Sequence, residues 1–379
     1  MNKRIRGPLW GARSRYRENR LFPIGRMTVL PVHEAIRSKL ERQDRVVLYP
    51  TFGHLSADGK RWHVGVSGVV FGPGRVSLRR RMLLRVLQRL MQVPASALHS
   101  KRFRDRISLF LVDTERGKQV AVRVGDQKQM LQRPSKRNGH FRGSLQLSSR
   151  ELAAITSQPS PNHWVPVDVI HDREVTQQPM SGQAQLIGQT GLSVISDIDD
   201  TIKHSQVGDR QSLLRNTFLN PFEAIPGMPE VYRAWAERGA AFHYVSSSPW
   251  QLYQALQELM EVAGFPPGSF HLRNIRLRDP SILRLLFARR SGKGRVIRSI
   301  VKMFPHREFI LVGDSGERDP ETYGQVARAF PGQIRRILIR QVEGRSLSED
   351  RIKKAFRQLS PDTWATFREP QELSQLAIC

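Results

Sequence analysis

Leu192-Ser193-Val194-Ile195-Ser196-Asp197-Ile198-Asp199-Asp200-Thr201 is an apolar run of strand length that delivers two carboxylates, Asp197 and Asp199, spaced two residues apart. Downstream of it, β-branched strand-like segments alternate with helical ones, the pattern of a parallel sheet with crossover helices. The spacing predicts strands at Leu192–Ser196, Ala241–Val245, Ser269–Leu272, Glu308–Val312 and Ile334–Ile339. A helix closed by Gly239 lies between the first two. Ligands of open parallel sheets bind beyond the carboxyl ends of the strands, so those ends are where chemistry is expected.

The second strand runs into Ser246-Ser247-Ser248-Pro249-Trp250-Gln251. Ser248 reads as an N-cap, with Pro249 at the first helical position and Gln251 completing a capping box, which leaves Ser246 for binding a phosphoryl oxygen. The fourth strand runs into Gly313-Asp314-Ser315-Gly316-Glu317-Arg318-Asp319-Pro320-Glu321, an acidic loop able to offer oxygen ligands to a hard cation. Asp314 is its first candidate ligand. Asp319 precedes Pro320 and Glu321 and reads equally well as an N-cap or a site residue, and Glu317 reads as solvated or peripheral to the ligands. A fixed cation is needed among these carboxylates. Lys293, in Ser291-Gly292-Lys293-Gly294, lies at the start of the helix before the fourth strand, with Lys302 as a competitor further along it. Phe287 stands where a P-loop requires glycine, so this Gly-Lys pair is not one.

Upstream, Val46–Tyr49, His63–Phe71, Ile107–Val112, Gln119–Val124 and Trp164–Ile170 read as short strands separated by turn residues, which predicts a smaller β-rich, sandwich-like domain. One basic amphipathic helix interrupts them at Arg79–Met91. It sets Leu83, Leu84, Leu87, Leu90 and Met91 on one face and Arg81, Arg85, Gln88 and Arg89 on the other. That face reads either as ordinary core packing with a solvated rim or as a contact with an anionic membrane. The expected organisation is a basic arm over 1–43 with a short helix at Val32–Leu40, a β-rich domain over 44–190, an α/β domain over 191–345 and a helical tail over 346–379.

The chain of 379 residues carries a formal charge of +27, with 34 Lys and Arg against 13 Asp and Glu up to Ser196 and 27 against 21 beyond it. An anionic partner is therefore expected for the first half. Cys379, the single cysteine, excludes a disulfide framework and a thiolate zinc site. No apolar run reaches the roughly 20 residues that span a bilayer, and the Arg-rich start lacks a continuous hydrophobic segment, which predicts a cytoplasmic protein with at most peripheral membrane attachment.

The order Asp-x-Asp-x-Thr, Ser, Lys, then Gly-Asp-x-x-x-x-Asp at successive strand ends resembles the haloacid dehalogenase superfamily of phosphatases. Val194–Lys203, Tyr244–Tyr253 and Phe309–Glu321 more narrowly resemble the catalytic domain of actin-patch-type phosphatidate phosphatases, which are related to the lipins; the likeness runs from about Gly191 to Gln341. The resemblance implies Asp197 as the nucleophile that forms an aspartyl-phosphate, Asp199 as the general acid and then base, and Thr201 as a brace for the loop. It implies Mg²⁺ held by Asp197, Asp314 and the backbone carbonyl of Asp199, Ser246 and Lys293 on the phosphoryl oxygens, and Asp319 orienting Lys293 or a metal-bound water.

With both aspartates kept, a non-catalytic phosphatidate sensor is disfavoured, and a dehalogenase has no use for Asp199. About 45 residues separate the first two motifs, too few for a large cap, so the site is expected to be open to a bulky substrate. Phosphatidate at an anionic membrane surface fits that openness and the basic first half, with a soluble phosphomonoester or a phosphoprotein as the alternative. A nucleic-acid partner is disfavoured, because the Arg clusters show little aromatic interleaving and no recognised binding motif.

Overall fold

In the computed structural model, residues 38–41, 43–72, 78–155, 163–171, 180–274 and 292–375 are described, without the side chains of 78–82 and 374–375. The parallel sheet predicted downstream of Leu192 is present. Its strands are β9 (Leu192–Ser196), β10 (Ala241–Pro249), β11 (Ser269–Arg273), β12 (Glu308–Asp314), β13 (Ile334–Arg340) and β14 (Trp364–Phe367), in the spatial order β11-β10-β9-β12-β13-β14. All five pairings are parallel. Chain order reverses between β9 and β12, and such a switch point is where a crevice opens at the carboxyl ends of a doubly wound sheet.

Alternation along the strands splits the core in two. Val194, Ile310, Val312 and Leu338 face one cluster with α4 (Arg210–Phe218), α5 (Met228–Glu237) and α6 (Tyr253–Ala263). Ile195, Leu311, Ile337 and Ile339 face the other with α7 (Lys293–Met303), α8 (Asp319–Ala329) and α9 (Glu349–Ala355). Burial on both faces explains why these strands read as nearly continuous apolar runs. The expected helical tail contains α9 but also β14, which adds a sixth strand beside β13.

The upstream strands join through hydrogen bonds into a sheet of eight. They are β1 (Arg45–Leu48), β2 (Thr51–Leu55), β3 (Arg61–Phe71), β4 (Ala121–Val124), β5 (Gln127–Met130), β6 (His140–Ser148), β7 (Trp164–Ile170) and β8 (Ser181–Ile187). The sheet is not purely antiparallel, because β2 and β8 pair in parallel. It holds one shared core, in which Val64, Val66, Val122, Leu145 and Val165 meet.

The expected strand at Ile107–Val112 is instead part of helix α2 (Lys101–Leu111). Ser100 caps it by accepting the Phe103 N–H at 3.3 Å, and Phe103, Ile107 and Phe110 are buried at helical spacing, so the period of 3.6 prevails over the local alternation. The basic helix α1 (Leu78–Met91) is present, with Leu87 and Met91 buried. Leu90, expected on its apolar face, is exposed. Both helices pack into the same cluster as α4 and α5. Most of the short helix expected at Val32–Leu40 lies outside the described residues, and Ser38–Leu40 are not helical.

The two sheets are fastened together. Tyr49, Val69 and Phe71 pack on Trp250 and Tyr253, and the Phe270 N–H donates to the Pro50 carbonyl at 3.1 Å. The buried Arg307 donates to Ser193 Oγ at 2.7 Å and to the carbonyls of Gly188 and Leu192 at 3.1 and 2.6 Å, locking the passage from β8 into β9.

Candidate active site

Asp197 follows β9 at the switch point, 1% exposed, and its N–H donates to the Val312 carbonyl at 2.9 Å, continuing the ladder with β12. The chain then turns back sharply. Asp200 adopts φ 54°, the left-handed region that Asp tolerates better than most residues. Its carboxylate accepts the backbone N–H groups of Ser205, Gln206 and Val207, each at 2.8 Å. Arg340 donates to the Asp200 carbonyl at 3.0 Å. Thr201 is fully buried, but its hydroxyl has no hydrogen-bond partner among the described residues. The side chain that holds this loop through hydrogen bonds is Asp200, to which the sequence alone assigns no role.

Asp199 is surrounded by donors. Its Oδ1 accepts from Ser205 Oγ at 2.7 Å and lies 2.9 Å from Lys203 Nζ, while its Oδ2 accepts from Ser246 Oγ at 3.0 Å and Ser248 Oγ at 2.6 Å. Burial opposes the charge of Asp199, but the Lys203 ammonium and the Ser248 and Ser205 hydroxyls outweigh it and hold the carboxyl well below the usual range. In this arrangement Asp199 is an ionised proton acceptor. Ser246 thus lies against Asp199. Ser248 is there too, and it caps nothing: β10 extends through Pro249, and the 3-10 turn Trp250–Leu252 begins without a side-chain cap. Ser248 reaches Asp199 because β10 runs on to Pro249, past the end of its pairing with β9 at Tyr244.

Lys293 opens α7 and is 3% exposed. Its ammonium lies 2.9 Å from Asp197 Oδ1, 2.8 Å from Glu317 Oε2 and 2.9 Å from Asp319 Oδ1. Lys302 is exposed, so Lys293 is the one that meets the carboxylates. Those three carboxylates outweigh the cost of burying Lys293 and raise its pKa well above the ordinary lysine value.

Asp314 ends β12 fully buried, and its Oδ1 accepts the N–H groups of Gly316 and Glu317 at 2.6 and 2.9 Å. Asp319 opens α8 but does not cap it; besides Lys293 its hydrogen-bond partner among the described residues is the Asp314 N–H, at 3.4 Å from Oδ2. Gly313 makes that approach possible, because a Cβ there would stand 2.5 Å from Asp319 Oδ2 and 2.7 Å from Asp319 Cβ. Burial first, and then mutual repulsion, pushes the carboxyls of Asp197, Asp314 and Asp319 up.

One lysine against four carboxylates leaves negative charge uncompensated. Carboxylate oxygens of Asp197, Asp314 and Glu317 lie within 4.8 Å of one another, and the buried Oδ2 atoms of Asp197 and Asp314 have no hydrogen-bond partner among the described residues. An all-oxygen set with free buried lone pairs fits a hard divalent cation. The side chains that converge are thus Asp197, Asp314 and Glu317, whereas those of Asp199 and Asp319 turn to the serines and to Lys293. Glu317 was read from sequence as peripheral; its backbone N–H on Asp314 fixes the loop that returns its carboxylate to Lys293. Beside Asp199 a cleft of about 60 Å³ opens, bounded by Val207, Leu213, Leu252 and Ser248.

Residues 192–341 match the family described as phosphatidate phosphatase APP1, catalytic domain. Phosphatidate phosphatase APP1 of Saccharomyces cerevisiae is 41% identical over 175 residues, covering 43% of this chain and 29% of that protein. An uncharacterised protein of Schizosaccharomyces pombe is 30% identical over 199 residues, covering 48% of this chain and 32% of that protein. The alignments thus span about a third of these relatives' length. A solved β-glucuronidase of Parabacteroides merdae aligns over 79% of this chain and 34% of its own at 10% identity, with a TM-score of 0.25, a likeness too slight to bear on the fold.

Proposed function

We propose that this chain, whose residues 192–341 match the catalytic domain of the phosphatidate phosphatase APP1 family, is a Mg²⁺-dependent phosphatase of haloacid-dehalogenase-like fold that converts phosphatidate to diacylglycerol at the surface of an anionic membrane. The observation that carries the reading is the buried Lys293 ammonium among Asp197, Glu317 and Asp319, with carboxylate oxygens of Asp197 and Asp314 left free beside it. The strand order, with Asp197 and Asp314 on the adjacent strands of the switch point, supports the fold assignment.

In the proposed reaction an Asp197 oxygen attacks phosphorus, the bond from phosphorus to the glycerol oxygen breaks, and Asp199 gives that oxygen a proton. Asp199 is ionised at rest and takes up one proton from solvent when the phosphate dianion enters beside it, because a neighbouring negative charge favours the protonated carboxyl. Asp199, again a carboxylate, then takes a proton from the water that hydrolyses the aspartyl-phosphate, which frees phosphate and restores Asp197. Lys293 and Ser246 steady the phosphoryl oxygens. The Asp197, Asp314 and Glu317 side chains would hold Mg²⁺, whose charge offsets that of the transferring group.

The exposed Arg85, Arg89, Lys101, Arg102 and Arg104 of α1 and α2 support an anionic surface as the place of action, each adding about 1 kcal/mol near headgroups. A peripheral, cytoplasmic location accords with this. No helix among the described residues is long and apolar enough to cross a membrane.

The test is phosphate release from phosphatidate in mixed micelles. Wild type should be active with Mg²⁺ and silent in a chelator, and Asp197→Asn should lose at least about 1,000-fold. Turnover of a soluble phosphomonoester but not of phosphatidate would keep the phosphatase and remove the lipid; activity indifferent to Asp197 and to metal would remove both.

A further inference from the structure

The cleft of about 60 Å³ has Asp199 on its wall and Asp197 not among its lining residues. Val207, Leu213, Leu214 and Leu252 make up much of the remainder, and the charged groups that line it, Asp199 and Glu317, are acidic. Phosphoryl transfer runs roughly in line, so the leaving oxygen departs on the side away from the nucleophile and toward the group that protonates it. The alcohol therefore leaves into this cleft. Its apolar walls and lack of a lining cation suit an uncharged leaving group and oppose one carrying further phosphates. With room for about 60 Å³, less than half of the ~150 Å³ cavity that holds a benzene, it takes only the glyceryl end of the alcohol, and the acyl chains pass outward along its apolar wall.

The wall is held from behind. Arg215 Nε on α4 donates to the Met91 carbonyl of α1 at 2.8 Å. Arg106 on α2 donates to the carbonyls of Thr217 and Asn220 at 2.9 and 2.6 Å, at the far end of α4. The helix presenting Leu213, Leu214 and Thr217 is thereby tied to the two helices that carry the exposed basic residues.

Resting on the phosphatidate reading above, we infer that this cleft is the subsite for the diacylglycerol leaving group, and that Leu213 and Val207 are residues that set substrate preference. Both are half-buried and reach the cleft from α4 and from the loop that Asp200 braces.

Short-chain phosphatidates below their micellar concentration separate this subsite from any effect of a lipid surface. With the full-length chain and Mg²⁺, kcat/KM should rise from dibutanoyl to dioctanoyl phosphatidate in wild type. Leu213→Asp and Val207→Asp should each cut the ratio of the two values by about tenfold or more. Leu213→Gln, which keeps the length of the side chain, carries the same test if Leu213→Asp does not fold. Equal ratios in wild type and variants, or a wild type that ignores chain length while hydrolysing both lipids, would overturn the subsite and leave the phosphatidate reading standing. A wild type that hydrolyses p-nitrophenyl phosphate but neither lipid would overturn both.

Discussion

Ser248 Oγ donates to Asp199 Oδ2 at 2.6 Å, and with Ser246, Ser205 and Lys203 it fixes where the carboxylate of Asp199 points. A cap and a site residue respond differently to removal of the hydroxyl. Ser248→Ala should lower kcat by about tenfold to a hundredfold, with the melting temperature nearly unchanged. A loss of about 1 kcal/mol of stability at constant kcat would instead be the signature of a helix cap; parallel phosphate-release kinetics and thermal melts distinguish the two. At this scale the sequence is legible wherever residue type and strand end coincide, which is the case for Asp197, Asp199, Ser246 and Asp314. It is ambiguous wherever one residue type serves two ends. Asp319 before Pro320 makes as good a cap as a partner for Lys293, and only the approach over Gly313 decides between them.

At the scale of elements, α4 draws its position from α1 and α2, helices far upstream of it in the chain. Arg106 spans from α2 to the carbonyls of Asn216, Thr217 and Asn220, and its guanidinium stacks 3.8 Å from the centre of the Phe222 ring. Arg106→Ala should destabilise the chain by about 2 kcal/mol, seen as a lower urea midpoint at unchanged slope. Arg106→Lys should recover only part of the loss, because an ammonium cannot reproduce the planar fork. The α2 segment also shows why element type was misread upstream. Over six residues Ile107-Ser108-Leu109-Phe110-Leu111-Val112 alternates well enough for a strand, but Phe103 and the Ser100 cap, further back, make it a helix. The catalytic strands carried no such conflict, since they are apolar on both faces and each is bounded by turn or capping residues.

The whole molecule buries histidines where its two sheets meet. Burial pushes His140 down to about 3, with Arg142 and Lys136 adding to the shift; it pushes His271 to about 3 and, with His63, His54 to about 4. A group whose folded pKa lies below its unfolded value of 6.5 takes up protons preferentially in the unfolded chain. Stability is therefore full above pH 6.5 and is lost as the pH falls from there toward 4 and 3. His140 alone should cost about 2 kcal/mol between pH 6.5 and pH 5, at about 1.4 kcal/mol per unit. Melting temperatures between pH 7 and pH 5 should fall, and less steeply in His140→Gln; a flat profile would count against neutral burial. Nothing in the sequence announced these histidines, because burial across a contact between sheets depends on residues far apart in the chain. By itself the sequence determined the parallel sheet, the carboxylates at its strand ends and an excess of positive charge upstream, because strand periodicity and strand-end chemistry are local properties. The tertiary structure alone decided that Lys293 rather than Lys302 neutralises them, that Glu317 and Ser248 join the site, and that an apolar cleft lies on the Asp199 side. Each of those depends on which surfaces meet when the crossover helices close over the sheet, and that geometry is set by packing between distant segments.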